Sequence, residues 1–160
     1  MKAVIQRVKN ASVTVDGIVT GAISDGLLVY LGVAAGDSEK DADWLAEKTA
    51  HIRIFQDAQG KMNLSLLDIV SKTGSEKKAE GEGDVGVLAV SQFTLLADAS
   101  KGRRPFYGAA AEPEKANALY EYFMEKIREQ GLACKSGVFQ AHMDVCYTND
   151  GPVTILLDSR

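Results

Sequence analysis

The sequence predicts an α+β fold from three patterns. Apolar and polar residues alternate over 11–15, as in a strand buried on one face. The glycine-bounded stretch over 26–33 is a continuous apolar run, which suits a strand buried on both faces. Apolar residues repeat at helical spacing between Pro113, a first-turn proline, and Gly131, a terminal glycine. The 160 residues, 46% hydrophobic and 25% charged, fit one globular domain over 1–160.

The remaining elements follow from turn and capping signals. Ser38 and Asp41 form a capping pair that begins a helix, whose apolar face continues to Thr49. The dipeptide Asp16-Gly17 predicts a hairpin turn. Strands are expected over 3–8, 11–15, 19–23, 26–33, 52–55, 85–96, 137–147 and 153–158.

A charged stretch interrupts this pattern. Seven of the thirteen residues over 72–84 are charged, and none is large and apolar. Such a composition buries too little surface to offset the entropy lost on ordering. We therefore expect a mobile segment over 72–84, either a surface loop or an extended hairpin.

Composition and charge exclude several classes of protein. The net charge of −4, from 18 basic and 22 acidic residues, argues against a protein that coats long nucleic acids. Two cysteines without CxxC spacing and two histidines without a metal-binding motif predict no metal site, and we expect no cofactor. The first ten residues lack the apolar segment of a signal peptide, and no run is long enough to span a membrane. A cytoplasmic protein is expected.

Polar residues interrupt an apolar strand at Ser91, Gln92 and Thr94. A buried polar group without a partner costs about 1–3 kcal/mol, so these residues need an explanation. They either mark the end of the strand or form the floor of a pocket. In a pocket, Thr94 would be a nucleophile or a positioning hydroxyl, and backbone N–H groups would bind an oxyanion. The GxSxG motif of a serine hydrolase is absent.

Two further segments combine unusual residue types. The cations Lys101, Arg103 and Arg104 precede two aromatic residues. This set either binds phosphate and stacks a base or forms a solvated loop. The sequence Asn-Asp-Gly-Pro over 149–152 predicts a tight turn between two strands.

Together these segments resemble the D-aminoacyl-tRNA deacylases. The matching motifs are MKAVIQRV at 1–8, GKMNLSL at 60–66, SQFTL at 91–95, KGRRP at 101–105 and NDGPVT at 149–154. The resemblance runs from Met1 to the C-terminus, with the family's two signatures, SQFTL and NxGPVT, in the expected order. The chain departs from the family at Gln140, where a glycine is common, and after Pro105, where the family often has serine and phenylalanine. Relative to the family, residues 71–84 look like an insertion before SQFTL, so the mobile segment over 72–84 is expected to be an insertion.

The resemblance implies a small barrel-like β structure with flanking helices. It implies a homodimer with active sites at the subunit interface and no membrane partner. Such an enzyme hydrolyses the ester that joins a D-amino acid to the 3′ end of tRNA, and it rejects L-aminoacyl-tRNA. Removal of glycine mischarged on alanine tRNA is also expected.

The resemblance also implies roles for three groups of residues. The catalytic pocket would be formed by Ser91, Gln92, Phe93 and Thr94. Substrate binding and chiral selectivity would come from Gly151, Pro152, Met143 and Asn149, with a cis Gly-Pro bond inserted into the other subunit's site. Contacts with RNA would come from Arg7, Lys101, Arg103 and Arg104.

Alternatives stay open for both the mechanism and the function. Either the ribose 2′-hydroxyl of the substrate assists hydrolysis while backbone amides near Phe93 and Thr94 stabilise the oxyanion, or Thr94 is a nucleophile. In place of a deacylase, the chain could be a non-catalytic nucleic-acid-binding module on the same fold. A serine or threonine esterase acting on small substrates is the third alternative.

Overall fold

The computed structural model describes residues 1–73 and 84–160 of the chain. The β-strands in chain order are β1 (Lys2–Val15), β2 (Ile18–Ile23), β3 (Gly26–Gly32), β4 (Phe55–Gln56), β5 (Met62–Leu64), β6 (Gly86–Ser91), β7 (Ala133–Ser136) and β8 (Asp144–Asp158). The helices are α1 (Glu39–His51), α2 (Leu66–Thr73), α3 (Pro113–Glu129) and a 3-10 helix (Phe93–Leu96). This combination confirms the predicted α+β class.

The long strand β1 is the centre of the main sheet. Strand β8 pairs antiparallel with one edge of β1, while β3 and then β2 pair antiparallel with the other edge. Strand β6 lies parallel to β3, and β7 lies parallel to β6. Strand β7 then approaches β2, where the carbonyl oxygen of Ser136 lies so close to Gly21 that a β-carbon would clash. The main sheet of the described residues therefore nearly closes into a barrel, as the resemblance implies.

Two clusters of buried apolar side chains lie on the two faces of this sheet. The larger cluster packs the sheet against α1 and α3 and includes Val29 and Phe123. The smaller cluster, which includes Leu28 and Leu88, lies inside the nearly closed sheet. Since neighbouring residues of β3 belong to different clusters, β3 is buried on both faces, as predicted from its continuous apolar run.

The predicted boundaries of α1 and α3 are confirmed. The N–H of Ser38 donates a 2.8 Å hydrogen bond to the carboxylate of Asp41, which fixes the start of α1. Helix α3 begins with Pro113, and Gly131 follows its end with a φ of +84°.

The structure corrects three N-terminal assignments. The two strands expected over 3–8 and 11–15 are one strand, because β8 pairs with β1 on both sides of Asn10. The strand expected over 52–55 is limited to Phe55–Gln56. Helix α2 was not predicted, although its start carries the same signal as that of α1. The N–H of Ser65 donates a 2.8 Å hydrogen bond to the carboxylate of Asp68.

The C-terminal strands also differ from the prediction. Strand β6 ends at Ser91 and the 3-10 helix follows, so the strand expected over 85–96 is wrong beyond that residue. Residues 137–143 belong to no strand, so the strand expected over 137–147 begins only at Asp144.

The tight turn predicted over 149–152 is wrong, because β8 continues through these residues. Val8 pairs with Asn149 and Gln6 pairs with Thr154, so residues 150–153 lie opposite a single residue of β1. The Gly-Pro signal therefore produces a bulge, in which one strand gains residues while pairing continues on either side.

Most of the mobile insertion expected over 72–84 lies outside the described residues. Lys72 and Thr73 belong to the end of α2, which the prediction did not include. Residues 74–83 lie outside the described part of the chain. Among the described helices, none is long and apolar enough to cross a membrane.

Asp37 is a buried carboxylate that joins Met1 to Arg160. One of its oxygens lies 2.9 Å from the amino group of Met1 and accepts a 2.6 Å hydrogen bond from Arg160. Burial alone would raise the pKa of Asp37, but hydrogen bonds from these two cations outweigh it and hold the pKa below its usual value. Protonation of Asp37 in acid therefore weakens both ion pairs.

Replacing Asp37 with Asn should lower the free energy of unfolding at pH 7 by about 2–4 kcal/mol, because it breaks a buried ion pair. The carboxyl of Asp37 has a pKa of about 3.9 in the unfolded chain and a lower pKa in the folded chain. The contribution is therefore present above about pH 4 and is lost as the pH falls. Urea unfolding should give a wild-type to variant difference that is smaller at pH 3 than at pH 7.

The matched control is Glu47→Gln, which removes an exposed carboxylate of α1. It should leave the free energy of unfolding nearly unchanged at both pH values. An Asp37→Asn difference that is the same at pH 3 and pH 7 would contradict the role given to this carboxylate.

Candidate active site

A cavity of about 460 Å³ opens beyond the carboxyl ends of β3, β6 and β7. These strands run parallel, so the segments that follow them meet at one edge of the sheet, where parallel sheets commonly bind ligands. The lining residues are Ser91, Gln92, Phe93, Ala110, Ala111, Pro113, Ala116, Phe139, Gln140, Ala141 and Met143.

The described lining of the cavity has no ionisable side chain. Its polar side chains belong to Ser91, Gln92 and Gln140, and none of these forms a hydrogen bond within the described chain. The other lining residues are apolar, and Phe93 and Phe139 are aromatic. The cavity therefore suits a ligand with a flat apolar body and a few polar groups, and it offers no side-chain acid or base.

The chain turns after Ser91 because strand pairing ends there. The N–H of Gln92 donates a 2.8 Å hydrogen bond to the carbonyl of Leu31, and the 3-10 helix begins at the next residue. The first N–H groups of a helix have no acceptor within that helix, which leaves those of Phe93 and Thr94 available. The polar residues therefore mark the end of the strand, and Ser91 and Gln92 also line the cavity. The side chain of Thr94 is exposed and does not line the cavity.

The cationic segment, residues 101–107, contacts the lining of the cavity. Tyr107 contacts Phe93 edge to face, with ring centroids 5.0 Å apart. The side chain of Phe106 is 70% exposed. The exposed cations of this segment, which have no ion-pair partner in the described chain, are Lys101, Arg103 and Arg104. Of this segment, Tyr107 therefore contacts the wall formed by Phe93.

The bulge at 150–153 is held from both of its sides. The side chain of Asn149 donates to the carbonyl of Val153 at 3.3 Å and accepts from the N–H of Val153 at 3.1 Å. Asp150 forms a 2.8 Å ion pair with the guanidinium of Arg7 on β1. These contacts fix the backbone on either side of the exposed tip.

The tip of the bulge consists of Gly151 and Pro152, both exposed and joined by a cis peptide bond. Gly151 has a φ of +121°, a conformation that side chains rarely adopt. An added β-carbon would lie 2.9 Å from Val153 and 3.0 Å from the guanidinium of Arg7. Backbone conformation and crowding therefore both require glycine here.

The burial of Arg7 is incompatible with the RNA contact expected of it. The residue is only 5% exposed, donates a hydrogen bond to the carbonyl of Ile54 and pairs with Asp150. Its position on β1, opposite the bulge, makes it a support for that segment. Positive charge alone could not distinguish this role from a surface role.

The cavity and the bulge are separated within one chain. Ser91 pairs with Leu31, Leu31 with Ala3, and Ala3 with Leu157. These three interstrand spacings put Ser91 roughly 14 Å from β8 along the sheet, and Gly151 lies further along β8. Of the predicted site residues, the cavity brings together Ser91, Gln92, Phe93 and Met143. It leaves outside Thr94, Asn149, Gly151 and Pro152.

Phe139 and Gln140 were not predicted as site residues. The stretch over 137–147 reads as a strand in the sequence, and a strand there would not bend its first residues into a cavity. The available signal was the departure from glycine at Gln140. His142, between two lining residues, is 95% exposed and lies 3.9 Å from Asp144, so this pair is solvated.

Comparison with solved structures defines the fold class. The "c-Myc DNA Unwinding Element Binding Protein" has a TM-score of 0.85 and 38% identity, covering 100% of this chain and 99% of that one. A second structure, "Structural Analysis of a probable eukaryotic D-amino acid tRNA deacylase", has a TM-score of 0.77 and covers 98% and 97%. At 15% identity this second likeness concerns the fold alone. The nearly closed mixed sheet with its helices is thus a fold that this chain shares with both solved structures.

Sequence comparison then identifies the family. The family model described as D-Tyr-tRNA(Tyr) deacylase matches residues 4–158. The D-aminoacyl-tRNA deacylase of Koribacter versatilis (strain Ellin345) is 54% identical, covering 100% of this chain and 98% of that protein. The D-aminoacyl-tRNA deacylase of Geotalea uraniireducens (strain Rf4) is 56% identical, covering 99% and 94%. The chain belongs to the D-Tyr-tRNA(Tyr) deacylase family, which confirms the deacylase class expected from its motifs.

Proposed function

We propose that the chain hydrolyses the ester between a D-amino acid and the terminal adenosine of tRNA, and that it rejects the L-aminoacyl ester. The observation that carries this proposal is the uncharged cavity walled by the SQF part of the SQFTL motif. An aminoacyl ester is already reactive, so its hydrolysis needs a positioned carbonyl and a stabilised oxyanion more than a strong base. The cavity offers groups for both tasks.

The proposed mechanism uses the substrate's own hydroxyl. The terminal adenosine occupies the cavity with the ester carbonyl near the N–H groups of Phe93 and Thr94, which donate to the developing oxyanion. Water, oriented by the ribose 2′-hydroxyl, attacks the carbonyl carbon. The bond between the carbonyl carbon and the ribose 3′-oxygen breaks, and the 3′-oxygen takes up the proton that the attacking water loses. The position of the Thr94 side chain outside the cavity lining favours this route over a threonine nucleophile.

Chiral selectivity is proposed to come from a second copy of the chain. Gly151 and Pro152 are exposed at a stiffened tip, yet they are distant from the cavity of their own chain. In a homodimer, the tip of one chain would enter the cavity of the other, and its carbonyl groups would accept hydrogen bonds from the substrate ammonium. An L side chain would collide with the tip, whereas a D side chain would point away from it.

Two features of β8 support such a dimer. In the described sheet, β8 pairs only with β1, so its other edge has unpaired backbone groups. The side chain of Leu156 on this strand is 78% exposed. A two-fold arrangement would bury both features and form two equivalent sites. Glycine has no side chain to collide with the tip, so glycine mischarged on alanine tRNA is also a proposed substrate.

The 3′ end of the tRNA is proposed to approach along the cationic segment. Lys101, Arg103 and Arg104 would contact phosphates, and the exposed ring of Phe106 would stack on a base. We do not extend this proposal to Arg7, because that residue is buried.

A non-catalytic nucleic-acid-binding module is the second candidate. The 38% identical structure, whose name describes a DNA-unwinding-element binding protein, favours it. The intact SQFTL and NDGPVT motifs of this chain favour catalysis. The two candidates differ in whether substrate is turned over.

Incubation with D-Tyr-tRNA and L-Tyr-tRNA should release tyrosine from the D form at least about a hundredfold faster. The reason is that the proposed tip excludes the L side chain from the cavity. Release of labelled tyrosine, measured against an enzyme-free control, gives both rates. Equal rates would contradict the chiral filter. Binding without any turnover would favour the non-catalytic module.

Replacing Thr94 with Ala should keep the deacylation rate within about fivefold of wild type, because the proposed oxyanion donors are backbone groups. The control Thr94→Ser keeps the hydroxyl and should behave alike. If Thr94→Ala lost about a thousandfold or more in rate while Thr94→Ser stayed active, with both variants folded by circular dichroism, Thr94 would be the nucleophile.

Mixed dimers test whether each site uses two chains. Ala141→Trp fills the cavity and Gly151→Ala distorts the tip, so each variant alone should be inactive. Equal amounts unfolded and refolded together should recover about 25% of wild-type activity, because half of the dimers would be mixed and would have one intact site.

The control for this experiment is the double variant Ala141→Trp/Gly151→Ala, refolded alone, which should recover nothing. Gly17→Ala tests the cost of giving a side chain to a residue with a positive φ, separately from crowding. Gly17 also has a positive φ, but the space around its β-carbon position is open. This variant should stay active. If the mixture of single variants stayed inactive while size-exclusion chromatography showed dimers, sites shared between subunits would be ruled out.

A further inference from the structure

Gln140 holds an unfavourable backbone conformation at the wall of the cavity. Its φ is +63°, a region that favours glycine over residues with a side chain. In the described chain, Asp16 is the other non-glycine residue with a positive φ, and it lies in the hairpin turn between β1 and β2, where such values are common. Gln140 is also a turn residue, because the N–H of Ala141 donates a 3.2 Å hydrogen bond to the carbonyl of Val138, but a positive φ at this third turn position is usually taken by glycine or asparagine.

The fold does not use the side chain of Gln140. The side chain is exposed and forms no hydrogen bond within residues 1–73 and 84–160. A glycine would adopt the same backbone conformation without strain. The turn accounts for the positive φ but not for the choice of glutamine, whose side chain lines the cavity next to the aromatic ring of Phe139.

The chemistry of the side chain indicates its ligand. A glutamine amide presents one donor and one acceptor side by side, which matches the N6 amino group and a ring nitrogen of adenine. An aromatic ring beside the amide gives a surface on which a base can stack. Amino-acid side chains differ between substrates, whereas every tRNA ends in adenosine. A single glutamine amide is therefore better suited to recognising the terminal base than to recognising the amino acid.

We propose that Gln140 recognises the adenine of the terminal nucleotide, as a specificity-determining residue beyond the SQFTL and NDGPVT motifs. This inference rests on the proposed function, since it requires the terminal adenosine to occupy the cavity. Gln140 positions the base and takes no part in breaking the ester, so its contribution belongs to KM and not to kcat.

The test compares two substrates and three variants. D-Tyr-tRNA is prepared with either a terminal adenosine or a terminal purine riboside, which lacks the N6 amino group. Gln140→Gly removes the amide and relieves the backbone, and Gln140→Glu keeps the shape but removes the amide's N–H donors. Asp16→Gly is the matched control, because it relieves a positive φ far from the cavity.

Wild type and Asp16→Gly should have a KM about tenfold lower for the adenosine-ended substrate than for the purine-ended one. Gln140→Gly should raise the KM for the adenosine-ended substrate about tenfold and lose the preference, with kcat nearly unchanged. Its melting temperature should equal or exceed that of wild type. Gln140→Glu keeps an acceptor for the N6 amino group but cannot donate to the ring nitrogen that both substrates have, so it should raise the KM for both substrates and keep the preference.

A wild-type enzyme that hydrolyses both substrates, with a preference that Gln140→Gly retains, would overturn the role of Gln140 and leave the proposed function intact. An equal loss of kcat on both substrates would also overturn it, because a merely structural role would act in that way. A wild-type enzyme that hydrolyses neither substrate would overturn the proposed function, and this inference with it.

Discussion

Backbone hydrogen bonding along β1 sets the positions of both candidate site segments. One edge of β1 carries β3, and through it β6 and β7, whose ends surround the cavity. The other edge carries β8 with its bulge. A slip of one residue in this pairing would move apolar side chains from one face to the other, so the buried clusters on both faces fix the register. Strand β1 therefore fixes the positions of both the cavity and the bulge.

This arrangement restricts how the two segments can cooperate. Strand pairing through β3 and β1 fixes the distance from the end of β6 to the bulge of β8 in each chain. Arg7 on β1 stabilises the bulge through its ion pair with Asp150, and Asn149 forms hydrogen bonds across the bulge to Val153. The proposed dimer would bring the rigid, exposed tip of one chain to the open cavity of another copy.

The parts of the fold that were predictable depend on local signals. The Ser38–Asp41 pair marked α1, Pro113 and Gly131 bounded α3, and an apolar run indicated β3. The errors came from long-range pairing. Nothing near 149–152 reveals that β1 pairs on both sides of the bulge, so a turn was the natural expectation.

The residues of the candidate site also fall into those that the sequence reveals and those that depend on long-range structure. Motif resemblance found Ser91, Gln92, Phe93 and Met143, which do line the cavity. It could not find Phe139 and Gln140, because their contribution depends on where β7 ends. The burial of Arg7 was likewise hidden, since it follows from a bulge that the sequence presents as a turn.

The uncharged lining of the cavity separates capture of the substrate from its chemistry. Without a fixed charge, the described lining exerts no long-range attraction on a polyanion, so in the proposed function the exposed cations at 101–104 would supply attraction at a distance. Salt would then slow the encounter of enzyme and tRNA while leaving the cleavage step untouched. Substitutions in the cationic segment could thus tune how fast the enzyme finds its substrate without altering how it selects or cleaves the ester.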